Sequence, residues 1–173
     1  MSLFDGIDLT KLFDTDSQYG KRYIFPPVTD ELIRRAQEKL GYQIPASYRE
    51  LLAFQNGGTI SDDLDESWLT AVYGIGPEPD SEHGLEEMFD NWRDEWEYPD
   101  IGIPFGETQS GGHDMYYMEC RETDANGEPR IVRVDVEDED DIRIYHVADN
   151  LVEFIRMILA NEEINETLLP DSE

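Results

Sequence analysis

The chain of 173 residues is short of the side chains that most often carry chemistry: it has one cysteine, three histidines and only 13 lysines and arginines. A lone Cys120 excludes an internal disulfide and any zinc site built from several cysteines. In an expected strand beside Met118 it reads as a small buried hydrophobe. A hydrolytic triad needs a nucleophile held by a base, and none of His83, His113 and His146 lies in a motif that puts a Ser or Cys beside it. His83 falls in an acidic loop. His146 shares a strand face with Ile142 and Ile144, where a hydrogen-bonded core histidine is the expectation. His113, between Gly111-Gly112 and Asp114, is the one position that invites a metal or acid/base role, and no second ligand stands at helical or hairpin spacing from it. Asn56-Gly57-Gly58 and Gly111-Gly112 lack the Lys and Ser/Thr of a P-loop and the three-glycine dinucleotide spacing. No apolar run reaches bilayer length, and Met1-Ser-Leu-Phe-Asp-Gly has neither the basic start nor the apolar stretch of a secretion signal, so a cytoplasmic protein without membrane attachment is expected. Internal repeats and low-complexity segments are absent too. No cofactor is expected.

The shortage of cations is matched by an excess of anions. Against 13 basic residues stand 41 acidic ones, a net charge of −28. The distribution is uneven. Residues 1–60 hold 7 basic and 8 acidic residues, 61–100 hold 1 and 14, and 101–173 hold 5 and 19. Such a field repels nucleic-acid phosphates and anionic membranes, and without a basic stripe there is no footing on a phosphate backbone. It attracts cationic partners, at rates that salt screening lowers over a distance of about 8 Å at physiological ionic strength. Solubility or adaptation to a salty cytoplasm would account for the same excess.

The most legible stretch runs from Thr29 to Gly58. Leu32, Ile33, Ala36 and Leu40 form one helical stripe, and Gly41 supplies the left-handed stop. Ile44-Pro45 sets the entry to a second helix, whose face carries Tyr48, Leu51, Leu52 and Gln55, and Asn56-Gly57-Gly58 ends it. Before these helices, Ile7, Leu9, Leu12 and Phe13 fit a short amphipathic turn closed by Pro26-Pro27. After them, Trp68–Tyr73 suits a first core strand. Leu85, Met88, Phe89, Trp92 and Trp96 then predict a third helix with the aromatics as core, and Glu86, Glu87, Asp90, Asp94, Glu95 and Glu97 on its opposite, charged face.

Strands follow over residues 101–105, 114–121, 130–136 and 142–147, with turn chemistry at Asp124-Ala-Asn-Gly127 and an acidic turn at Glu137-Asp138-Glu139-Asp140-Asp141. That acidic turn is no calcium loop: the position of the sharp-turn glycine holds Asp140 and that of the bidentate glutamate holds His146. Asn150 with Glu153 reads as a capping box opening a last helix, with Leu151, Phe154, Ile155, Ile158 and Leu159 on its apolar face. Residues 162–173 are acidic and loosely held. The predicted fold is therefore α+β, an antiparallel sheet of about four to six strands with helices packed on one side. The expected division is a variable N-terminal extension packed on the core (1–28), a main domain (29–160) and an acidic tail (161–173).

The amphipathic helix closing on Leu40-Gly41, then Ile44-Pro45, Tyr48, the Leu51-Leu52 pair and Asn56-Gly57-Gly58 resemble the SUKH superfamily, the yeast Smi/Knr-like domain found also in bacterial toxin-immunity proteins. The resemblance continues in Ile101-Gly-Ile-Pro-Phe-Gly106, Ser110-Gly-Gly-His-Asp114 and the helix around Asn150–Ile155, and covers roughly Thr29 to Leu159. It implies a non-enzymatic protein-binding module, most often an immunity protein that neutralises a cognate toxin, and it carries over no catalytic residue. The alternative within the family is a regulatory scaffold in signalling or cell-wall assembly. Because many such toxins are nucleases with basic clefts, the acidic surface is read as the contact: Glu137, Asp138, Glu139, Asp140 and Asp141, with Asp90 and Asp94 of the third helix, would meet a cationic toxin domain.

Overall fold

The computed structural model describes residues 2–170. Five α-helices and eight strands follow one another as β1 (Phe13–Asp14), α1 (Gln18–Lys21), α2 (Asp30–Leu40), α3 (Ala46–Phe54), β2 (Gly58–Ile60), β3 (Leu69–Val72), α4 (Leu85–Asp94), β4 (Gly102–Thr108), β5 (Asp114–Thr123), β6 (Pro129–Asp135), β7 (Arg143–Ala148), α5 (Leu151–Leu159) and β8 (Thr167–Leu168). All strands join one antiparallel sheet in sequence order. The fold is α+β, as expected, but the sheet has eight strands rather than four to six. The additional strands are the two-residue pieces β1 and β8 at the edges and the three-residue β2. Runs this short are too brief to show alternation in sequence. No helix among the described residues is long and apolar enough to cross a membrane.

The helices do not share one side of the sheet. Successive side chains of a strand point to opposite faces. Tyr116 of β5 packs on Phe154 of α5, ring centroids 4.9 Å apart, and Phe105 meets both Phe154 and Tyr48 of α3 edge-on. Its neighbour Tyr117 stacks instead on Tyr98 at 5.8 Å, and Tyr98 meets Trp92 of α4. α3 and α5 therefore cover one face and α4 the other. The cause lies in the central strand: every residue of β5 from Asp114 to Glu119 is buried, so both of its faces need cover.

Local punctuation follows the sequence closely. Thr29 caps α2 through its hydroxyl, which accepts from the Leu32 amide at 3.2 Å, and Gly41 ends the helix at φ 77°. Asn150 caps α5 by accepting from the Glu153 amide at 2.9 Å; Glu153 does not return the bond but pairs with Arg156. Asn56 is a junction. Its side-chain amide donates to the carbonyls of Pro26 and Ile75 at 2.8 Å and accepts from the Ile75 amide at 2.7 Å, while its own carbonyl accepts from Phe25. Gly57 beside it holds φ 89°, and a Cβ there would lie 2.2 Å from the Tyr23 carbonyl oxygen. Thus Asn-Gly at this turn ties the N-terminal arm to the end of β3. At the other edge, Glu166 pairs with Arg133 at 2.7 Å and Leu169 donates to the Ile144 carbonyl at 2.8 Å, so the acidic C-terminal segment is tied to β7 as far as it is described. Its last residues, 171–173, lie outside the described residues.

Three carboxylates are almost fully buried, and each holds arginine. Arg35 meets Glu86 at 2.6 Å, Arg133 meets Asp114 at 2.7 Å, and Arg130 and Arg121 meet Glu119 at 2.8 and 2.7 Å. Asp114 also accepts from the Trp68 indole at 3.1 Å and from the Thr108 hydroxyl. Removing one partner of a buried pair strands the other charge in a medium that solvates it poorly, at a cost of about 3–5 kcal/mol. Arg133→Met is expected to lower unfolding free energy by that amount in urea titrations. Arg143→Met, which removes the exposed contacts with Asp141 and Tyr145, is expected to leave the midpoint nearly unchanged.

Candidate functional site

α4 carries two faces of different chemistry. Leu85, Phe89 and Trp92 are buried, while Glu87, Asp90, Asn91 and Asp94 recur at i, i+3, i+4 and i+7 and line an open acidic furrow with Pro79, Asp80 and Glu95. The structure brings Asp90 and Asp94 together there. Arg93 bridges them at 3.0 and 2.9 Å, and Lys39 of α2 reaches Asp90 at 2.7 Å. The Arg93 guanidinium, by its hydrogen bond, holds the Asp94 carboxyl below the usual range.

The helix ends two residues before Trp96, not beyond it. Glu97 takes φ 56°, and Trp96 is 38% exposed rather than core. Trp96 rests on Trp92 at 5.6 Å and on the edge of the His113 ring at 5.9 Å. Beneath the pair runs the loop between β4 and β5, whose Gly112 carbonyl accepts from the Tyr98 hydroxyl at 2.6 Å. The same loop reaches β6, because the Val136 amide donates to the His113 carbonyl at 2.9 Å. The acidic turn Glu137–Asp141 starts at the next residue. It is exposed throughout, folded on its own Asp135 and Asp138 oxygens, and offset only by Arg143 on Asp141 at 2.8 Å. Turn and helix end are thus linked through His113, though their carboxylates are not in contact through any described hydrogen bond or ion pair.

Beside the furrow, and sharing Glu87 with it, a cleft of about 340 Å³ opens between α4 and the sheet. Its walls include Tyr23, His83, Glu87, Met88, Trp92, Glu107 and Met115. His83 adopts φ 65° and stacks on Tyr23 at 4.5 Å. Glu107 accepts from the hydroxyls of Tyr23 at 2.9 Å and Tyr73 at 2.7 Å. Burial, and then the negative charge of Glu107, push both phenols well above their ordinary pKa, so they stay donors at neutral pH. The Glu87 Oε2 atom is buried with no hydrogen-bond partner among the described residues. Sequence pattern alone puts His83 in an acidic loop, Trp92 in the core and Glu87 on a charged face. It misses that they meet, because Tyr23 and Glu107 come from distant segments.

The remaining candidates separate cleanly. His113 is exposed and engages Trp96 rather than a ligand set, and among the described residues no group of three or more His, Cys, Asp or Glu is placed to hold a metal ion. His146 is not a core histidine: it is half-buried in β7, between Val132 of β6 and Thr167 of β8, and lies 3.2 Å from Asp149. The Cys120 thiol is half-buried, and burial pushes its pKa up to about 11, leaving it protonated at neutral pH.

Fold and surface together define an α+β domain whose most distinctive ground is acidic and aromatic. Residues 27–157 match the sequence model of the SMI1 / KNR4 family (SUKH-1), and the chain belongs to that family. No curated protein matches the chain.

The contact of Gly112 with the indoles offers a check of this geometry. Gly112 holds φ 109°, and a Cβ there would sit 3.0 Å from Trp92 and 3.1 Å from Trp96. Gly112→Ala is expected to part the two rings and destabilise the domain by about 1–3 kcal/mol. Near-UV circular dichroism and tryptophan emission would read the separation, and urea titration the loss.

Proposed function

We propose that this domain is a non-enzymatic immunity protein that binds and neutralises a cognate bacterial toxin, its acidic surface meeting a cationic toxin domain such as the basic cleft of a nuclease. Membership of the SMI1 / KNR4 family supports a protein-binding role. The observation that carries the reading is electrostatic. From residue 61 onward every basic residue, Arg93, Arg121, Arg130, Arg133, Arg143 and Arg156, is ion-paired with an acid of this chain. Beyond Lys39 on Asp90 and Arg35 on Glu86, the acidic excess of that region presents its field to solvent. Glu137, Asp138, Glu139, Asp140 and Asp141, with Asp90 and Asp94 on α4, form the docking ground. Complementary potential there speeds encounter and rejects partners of the wrong sign, and the partner's phosphate-binding cleft is occluded by carboxylates standing where phosphates would lie.

The test begins by searching the neighbourhood of this gene for an encoded toxin domain and co-expressing it with the wild-type chain to show rescue of growth and a stable complex. Replacing Glu137–Asp141 by a Ser/Asn turn is expected to lower the association rate by about tenfold or more at low salt and to flatten its dependence on ionic strength. Unchanged affinity and salt slope would remove the turn from the interface, and absence of any rescue would remove the immunity role.

A further inference from the structure

Among the described residues five half-buried carboxylates lack a cation; Asp14, Glu50 and Glu128 are satisfied by backbone amides or a serine hydroxyl, and the other two share a cleft. Glu86, Asp114 and Glu119 each hold arginine, whereas Glu87 and Glu107, both in the wall of the cleft under α4, form no ion pair with any Lys or Arg of the described residues. Glu107 is met by two neutral phenols. Glu87 is half-buried and lines the cleft, and its Oε2 has no hydrogen-bond partner among the described residues. A buried carboxylate oxygen without a donor is costly, and where one persists the missing donor is a candidate ligand.

We propose that the cleft is a receptor for a single arginine side chain presented by the protein partner. This rests on the partner-binding reading above and locates its anchor. The chemistry selects arginine. One carboxylate comes from α4 and one from β4, so the ligand must offer donors in more than one direction, as a guanidinium does with five N–H groups in a fixed plane. The indole of Trp92 and the stacked Tyr23 and His83 rings supply flat faces on which such a plane rests, and Met88 and Met115 pack its aliphatic stem. The volume of about 340 Å³ lies at the lower end of ligand pockets and suits one long side chain, not a helix or strand. The furrow of Asp90, Asp94 and Glu95, contiguous through Glu87, guides the cation to the opening.

The experiment needs no toxin. The methyl resonances of Met88 and Met115 are followed by NMR as N-acetyl-arginine amide is added to the full chain, with N-acetyl-citrulline amide, of the same shape without the charge, and N-acetyl-lysine amide in parallel. Saturable shifts of both methyls with the arginine compound are expected, with none from citrulline and weaker binding of lysine. Glu87→Gln, whose own spectrum reports that it is folded, is expected to weaken the arginine compound by about tenfold or more. Shifts that never saturate, that citrulline reproduces, that lysine matches or that survive in Glu87→Gln would each overturn the assignment. A toxin bound by a protein whose cleft ignores arginine would refute the anchor and leave the immunity reading standing. Arginine binding without any rescue by the chain would do the reverse.

Discussion

The structure depends on keeping carboxylates inside a low-dielectric interior, which demands a cation at hydrogen-bond distance for each. Asp114 shows the solution most fully: Arg133, itself fixed by Glu166 at 2.7 Å and lying 4.4 Å from the centre of the Tyr145 ring, joins Trp68 and Thr108 around one carboxylate. These pairs link β5 to β6 and α2 to α4, and β8 is drawn in through Glu166. The pairing is therefore structural in effect, and in a chain with so few cations it has a consequence elsewhere. Arginines bound to buried acids cannot neutralise exposed ones.

That consequence connects interior to surface. The first 60 residues keep their charges balanced and contain the helices that close the core, whereas α4 and the β6–β7 turn stand in a region whose basic residues are all engaged. A surface of this kind is a poor neighbour for phosphate and a good one for a cationic protein. On the proposed reading the cleft under α4 would add a point of specificity to that general attraction, since a diffuse field steers approach and a shaped pocket with matched donors fixes register. Aromatic rings at Trp92, Tyr23 and the partly exposed Trp96 provide the desolvated ground that hot spots of interfaces use.

Much of the fold is legible in the amino-acid order alone. The Thr29 and Asn150 caps, the Gly41 stop, the hairpin at Asp124–Gly127 and the order of helices and strands are written in local chemistry, and local chemistry decides them. What escapes is long-range. A two-residue strand such as β1 or β8 leaves no periodic trace, because its existence is decided by the neighbouring edge. The placement of α4 opposite α5 has one trace, the unbroken Met115-Tyr-Tyr-Met118 run, which marks a strand covered on both faces rather than one. Trp96 fits a helical stripe by spacing, yet the helix stops at Asp94 and leaves it half out. The acidic residues are found by counting; the cleft beside them is not, since its walls come from the N-terminal arm, the loop before α4, the helix itself and β4, four segments whose meeting is a property of the sheet.

The central claim is that the partner docks on α4 and the β6–β7 turn. Carboxyl-to-amine cross-linking of the complex with the proposed toxin partner, mapped by mass spectrometry, tests it most directly. The account predicts links from Glu87, Asp90, Asp94 and Glu95 and from residues 137–141 to lysines of the partner. Links confined to the charge-balanced first 60 residues, with α4 and the turn unmodified by the partner, would contradict it.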